Sequence, residues 1–167
     1  MAAILNRLED KLVFKKLGIA SDHAGKDLKK TVHEFLVEQG IEVVDYGVDV
    51  QVEQSVDYPD YAMQLAGNLS KGLIQGAIAI CGTGIGMCIT ANKFPSVRAC
   101  SVWDEYSARM SREHNDSNCL CLGSRTLNHY RALDIVKIWV ETQFLGDRHQ
   151  LRLDKIKNIE KENFKTS

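Results

Sequence analysis

Cys81-Gly82-Thr83-Gly84-Ile85-Gly86 places a thiol directly before three glycines at every second position. Glycines so spaced let a backbone turn tightly and expose its N–H groups, which stabilise anions and oxyanions where a helix follows. The segment reads as an anion cradle. A thiol at its entrance faces the positive end of that helix, an environment that favours the thiolate, so Cys81 is a candidate general base or nucleophile. The competing reading of Cys81 is a small buried residue that finishes a strand. The loop is GxGxG, whereas the dinucleotide fingerprint is GxGxxG and normally follows the first strand of its fold; Asp104 does lie about 20 residues on, where a ribose-binding acid is expected.

Three further clusters carry chemistry-capable side chains. Ser21-Asp22-His23-Ala24-Gly25 is a polar, glycine-ended turn. In Ser111-Arg112-Glu113-His114-Asn115-Asp116, His114 suits acid/base work near neutral pH, with Asn115 as a neutral hydrogen-bond donor; a histidine that merely caps a helix is the bland alternative. In Gly146-Asp147-Arg148-His149-Gln150-Leu151-Arg152, Arg148 and Arg152 stand at i and i+4, so on a helix both guanidinium groups project from one face and can clamp a phosphate. The alternative there is a solvated charged face. Cys88, Cys100, Cys119 and Cys121 fall within predicted helix or strand and lack metal-ligand spacing, so they are read as packing residues and no metal site is expected.

These residues need elements to hold them. From Lys15 onward, short apolar runs at Lys16–Ala20, Ile41–Asp45, Ala77–Cys81, Arg98–Trp103 and Asn118–Leu122 alternate with helix-period segments. Leu28, Val32, Phe35 and Leu36 form one helical stripe that stops at Gly40. Another helix opens at Asp57 and Pro59 and repeats at Ala62, Leu65, Ala66 and Leu69. Further helices are predicted at 84–93, 105–113 and 126–145 and after Asp147. Strands and helices in this alternation specify an α/β fold, a doubly wound parallel sheet of five strands with helices on both faces. With strand order 2-1-3-4-5, the ligand crevice lies between strands one and three, where the 21–25 turn and the 81–86 loop face each other.

Composition sets the frame. The 167 residues fit a single domain, 15–167, preceded by an N-terminal extension, 1–14, in which Ile4, Leu5, Leu8 and Leu12 share a helical face. A balance of 21 Lys and Arg against 22 Asp and Glu leaves no general field for nucleic acid or an anionic membrane, so any anion must bind at a local site. The longest apolar stretch, Ala77–Cys81, is far short of the roughly 20 residues of a membrane-spanning helix. Five cysteines without a CxxC pair or a secretory leader fit a reducing, cytoplasmic compartment.

Taken together, SDHAG at 21–25, DYPDYA at 57–62, ICGTGIGM at 80–87, ANK at 91–93, REHNDSN at 112–118, LGSR at 122–125 and GDRHQLR at 146–152 resemble the type B ribose-5-phosphate isomerases and the related galactose-6-phosphate isomerase subunits. The resemblance runs from about Lys16 to Phe164. It implies a three-layer Rossmann-like fold, a homodimer or dimer of dimers with shared active sites, and an aldose–ketose isomerase of the pentose phosphate pathway that uses no metal or organic cofactor. On the same basis the base that moves the proton between C1 and C2 is Cys81, and the backbone of Gly82, Thr83, Gly84, Ile85 and Gly86 holds the enediolate oxygens with help from the Thr83 hydroxyl. His114, working with Asp22, matches the ring-opening acid/base. Asn115 matches a substrate hydrogen-bonding position, and Ser21, Tyr58 and Arg125 match further ligand contacts. His23, Arg148 and Arg152 match the phosphate-binding set. In relatives the His114–Asn115 loop and the arginine pair reach the pocket from the partner subunit. The galactose enzymes resemble complexes of two different subunits that share the catalytic set; this chain carries the whole set, which favours the pentose over galactose or allose 6-phosphate. A non-catalytic sugar-phosphate or nucleotide-binding domain on the same fold is the alternative.

Overall fold

The structure, a computed structural model, describes residues 11–49 and 51–164. Strands β1 (Lys16–Ser21), β2 (Glu42–Asp45), β3 (Gly76–Cys81), β4 (Ala99–Ser101) and β5 (Cys119–Gly123) form one sheet, and every pairing in it is parallel. The helices between and after them are α1 (Lys26–Glu38), α2 (Tyr58–Ser70), α3 (Ile85–Ala91), α4 (Glu105–Glu113), α5 (His129–Glu141) and α6 (Arg148–Asn163). The doubly wound α/β arrangement read from the alternation is the one observed.

The strand order is β2-β1-β3-β5-β4, so the expected 2-1-3-4-5 is corrected at its far edge. The physical reason is burial. β5, CLCLG, is buried at all five positions and apolar on both faces, which only an interior strand can be. β4 pairs with β5 alone, and two of its three residues are partly exposed; the predicted run Arg98–Trp103 shrinks to Ala99–Ser101 at this short edge. The exchange leaves the crevice between β1 and β3 intact, because the chain still leaves β1 through α1 on one side and returns to β3 through α2 on the other.

The two sheet faces are built differently. Leu17, Ile19, Ile78, Ile80, Leu120 and Leu122 pack large aliphatic side chains toward α1, α4 and α5. Ala20, Ala77, Ala79, Cys81, Cys119 and Cys121 present small ones toward α2 and α3, with Leu65 and Ala66 of α2 in the same cluster. Small residues let those helices approach closely: a side chain at Gly18 would lie 2.6 Å from Leu65 Cδ1. The α1 helix ends as its glycine requires. Gly40 has φ +83, its N–H donates to Val37 O at 2.9 Å, and Ile41 N–H donates to Leu36 O at 3.1 Å. Ile4, Leu5 and Leu8 of the expected N-terminal helix lie outside the described residues. Phe14, by contrast, is buried and stacks on Trp139 with ring centroids 4.6 Å apart, so it belongs to the core.

Candidate active site

β3 delivers Cys81 to the carboxyl end of the sheet, buried at 5% exposure. There the backbone turns through Gly84, whose φ of +79 suits glycine and whose added Cβ would lie 2.9 Å from the Leu122 carbonyl carbon. That turn aims the Gly84 N–H at Cys81 Sγ, 3.1 Å away. The following N–H of Ile85 lies 3.4 Å from Thr83 Oγ1, and Thr83 itself is exposed at the loop tip. A side chain at Gly123, at the end of β5, would meet Thr83 Cα at 2.8 Å, so the neighbouring strand must also end in glycine for the loop to settle. The result is a thiol held beside a row of backbone donors before the first turn of α3.

The other residues of this end converge on the loop. Ser21 pairs with Ile80 in the register of β1 and β3, and the Asp22 N–H donates to Ile80 O at 3.3 Å. Asp22 is nearly buried, and its Oδ1 accepts from the N–H groups of Ala24 and Gly25 at 2.9 and 3.2 Å, capping the short helical turn His23–Gly25. Ser21 is fully buried, and its hydroxyl has no hydrogen-bond partner among the described residues. His23 Nδ1 sits 3.1 Å from both the N and the O of Val56, which ties the turn to the segment that leads into α2. Tyr58, first residue of α2, lies over Gly86, where an added Cβ would be 2.6 Å from its ring. Arg125 donates its N–H to Gly82 O at 3.0 Å and lays its side chain along Gly82. Asp104, the acid a dinucleotide fingerprint would use, instead caps α4: its Oδ1 accepts from Ser107 N–H at 2.7 Å, a bond that holds its carboxyl below the ordinary value.

His114, Asn115, Arg148 and Arg152 are elsewhere. α4 runs back from the end of β4, and the loop after it leads into β5 where Asn118 O accepts from Ala77 N–H at 2.8 Å, at the start of β3. From Ala77 to Cys81 the strand advances by roughly 13 Å, so within one chain His114 stands at the opposite end of the sheet from the thiol. It does meet the start of α6. The rings of His114 and His149 stack at 4.1 Å, and His149 is flanked by Arg148 Nε at 3.5 Å and by an Arg152 terminal nitrogen at 3.3 Å. Burial and then the neighbouring His114, Arg148 and Arg152 hold the His149 pKa below the ordinary value. Asn115, Arg148 and Arg152 are exposed, and His114 is half-exposed. His149 and the arginines around Asp116 receive no role from the sequence alone; the i,i+4 spacing of Arg112 and Asp116 is a visible signal for that pair.

Of the remaining thiols, Cys119 and Cys121 are buried with sulfurs 4.0 Å apart, and burial raises Cys100 to about 11. Cys88 is lowered to about 7, first by its hydrogen bond with Cys121, against the opposing effect of burial. Among the described residues no group of three or more His, Cys, Asp or Glu is placed to hold a metal ion, and no helix is long and apolar enough to cross a membrane.

A parallel doubly wound sheet, with a thiol and a glycine cradle at its switch point, defines a Rossmann-like α/β protein built to bind a small anionic ligand. Residues 17–156 match the family model described as Ribose/Galactose Isomerase, and the chain belongs to that family. Ribose-5-phosphate isomerase B of Escherichia coli (strain K12) is 44% identical over 146 residues, 87% of this chain and 97% of that protein. Among solved structures, ribose-5-phosphate isomerase B from Clostridium thermocellum superposes with a TM-score of 0.84 at 47% identity, covering 88% of this chain and 98% of that one. The enzyme from Mycoplasma genitalium, solved with bound ribulose-5-phosphate, gives 0.85 at 40% identity, covering 89% and 97%.

Proposed function

We propose that this chain is an aldose–ketose isomerase that interconverts ribose 5-phosphate and ribulose 5-phosphate. The observation that carries the reading is Cys81 Sγ at the end of β3 with the Gly84 N–H 3.1 Å away, at the entrance of the glycine cradle. Membership of the Ribose/Galactose Isomerase family and the likeness to an enzyme solved with ribulose-5-phosphate support it.

The reaction is an internal redox exchange: C2 of the open-chain aldose is oxidised and C1 reduced, so proton transfers alone balance it. The Cys81 thiolate takes the proton from C2, and the resulting thiol returns it to C1 while the proton on O2 passes to O1. Between the two transfers negative charge rests on the enediolate oxygens, and the backbone N–H groups of Gly82–Gly86, fixed before the reaction begins, stabilise it with the Thr83 hydroxyl. His114, with Asp22, opens the sugar ring beforehand. Asn115, Ser21, Tyr58 and Arg125 hold substrate hydroxyls, and His23, Arg148 and Arg152 hold the phosphate, whose binding energy fixes C1 and C2 against the sulfur.

Because His114 and the arginine pair stand at the far end of their own sheet, a complete site requires a second copy of the chain. The surface supports this. α6 buries only His149 and leaves Leu151, Ile156 and Ile159 exposed, apolar side chains available to an isologous contact. The five free thiols fit a reducing compartment, and the cytoplasm is the proposed location.

The test is direct: ribulose 5-phosphate formation from ribose 5-phosphate, with wild type and Cys81→Ala side by side. The expected result is turnover in the wild type and a kcat lower by about 10²- to 10⁴-fold in the variant, the usual loss of a general base. An unaffected variant removes Cys81 from the base role, and a wild type active only on hexose 6-phosphates reassigns the substrate.

A further inference from the structure

The loop that carries His114 and Asn115 is held in an uncommon backbone conformation by a charge arrangement that touches neither ring of the histidine pair. Asp116 has φ +44, left-handed for a residue with a Cβ, a conformation that costs on the order of 1 kcal/mol and persists only where the surroundings enforce it. Here two arginines enforce it. Arg98 donates from Nε to the carbonyls of Asn115 and Asp116, at 3.2 and 2.9 Å, and from a terminal nitrogen to Asp116 Oδ2 at 2.8 Å. Arg112 donates to Asp116 Oδ1 at 2.9 Å and to Ser117 O, and its Nε reaches Thr142 O at 3.2 Å. Arg112 is 3% exposed, lies against the rings of Phe14 and Trp139, and is the last arginine of α4, two residues before His114. One carboxylate thus joins a buried arginine anchored in the core to a half-exposed one on the 96–98 turn, and the loop between them has little freedom left.

We infer that Asp116 is a positioning residue for His114 and Asn115: by drawing Arg98 and Arg112 onto one carboxylate, it locks the loop in the shape that presents both side chains, and so serves sugar-ring opening without touching the substrate. The inference rests on the reading of His114 as the ring-opening group. A purely structural alternative is that Asp116 only neutralises the buried Arg112.

The two steps of the reaction can be read separately on one protein. Ribose 5-phosphate is mostly a closed ring, so its conversion needs opening as well as proton transfer. Ribulose 5-phosphate cannot close a five-membered ring, because its C5 oxygen carries the phosphate; exchange of its C1 hydrogen with deuterium oxide therefore reports the Cys81 step alone. Asp116→Asn keeps the shape and the tolerance of left-handed backbone while removing the charge. The expected result is a fall of roughly tenfold or more in ribose 5-phosphate turnover, with C1 exchange at saturating ribulose 5-phosphate within about threefold of wild type, a divergence of at least about threefold, or ~0.7 kcal/mol in barrier. Equal losses in both readouts, or no loss in turnover, overturn the inference. Arg98→Met removes the outer half of the clamp while the Arg112–Asp116 pair stays, and it shows the same split at smaller size; it carries the test should Asp116→Asn fail to fold. His114→Asn, run in parallel, shows the largest split. If it shows none, the ring-opening role of His114 falls; if it splits while Asp116→Asn and Arg98→Met do not, the positioning role alone falls.

Discussion

At the scale of single residues, chemistry follows from what each side chain is tied to. Cys81 is distinguished from the other four thiols by its surroundings. Cys119 and Cys121 are sealed in the sheet, burial holds Cys100 well up in its neutral form, and the lowered Cys88 is bonded to the sheet edge rather than to the cradle. Among the described residues, Cys81 is the cysteine with a glycine-loop N–H on its sulfur. Arg148 and Arg152 are exposed, with side chains that reach the His149 ring. As the proposed phosphate clamp the pair would act on binding more than on proton transfer, so Arg148→Ala and Arg152→Ala are each expected to raise KM by roughly tenfold or more, the loss of one charged hydrogen bond, with kcat changed much less. Steady-state kinetics on ribose 5-phosphate checks this, and an unchanged KM in both variants removes the pair from the clamp.

At the scale of elements, the site depends on how strands end. The glycine loop is possible because the residues after β3 and at the end of β5 leave room: Gly84, three residues past Cys81, turns through positive φ, and Gly123 lies under Thr83. Gly84→Ala is therefore expected to destabilise the fold by about 1–3 kcal/mol through backbone strain and to swing the N–H away from Cys81 Sγ. A thermal melt and the isomerase assay read the two effects; a variant as stable and as active as wild type contradicts the assigned turn geometry. Most of this level was legible in the sequence, since period, glycine placement and caps are local signals. The sequence predicts helix α4 at its observed bounds and the apolar positions of α2 as the buried ones. It does not give the order of β4 and β5, because adjacency depends on which strand tolerates burial on both faces. The clue lay in CLCLG against the shorter, half-polar ACS. Only the Arg112–Asp116 half of the clamp has a local i,i+4 signal; Arg98 reaches Asp116 from 18 residues away and His149 reaches His114 from 35, and no local pattern announces either contact.

At the scale of the whole molecule, the residues of the proposed site fall into two groups at opposite ends of one sheet. The carboxyl end holds the thiol, the glycine loop and the residues proposed to contact the sugar; the amino end holds His114, Asn115 and the arginine pair beside the exposed Leu151, Ile156 and Ile159 of α6. In the proposed reaction neither group of residues suffices alone, and the proposed two-fold dimer would set one group against the partner's other group and complete two sites at once. The most direct measurement mixes Cys81→Ala subunits with His114→Asn subunits, after dissociation and reassociation, and follows conversion of ribose 5-phosphate. Each variant alone is expected to be nearly inactive. Random pairing makes about half of the dimers mixed, each with one intact and one doubly damaged site, so the mixture recovers about a quarter of wild-type activity. A mixture that stays inactive, with mixed dimers shown by native mass spectrometry, or a single variant that keeps the wild-type rate, contradicts the shared site.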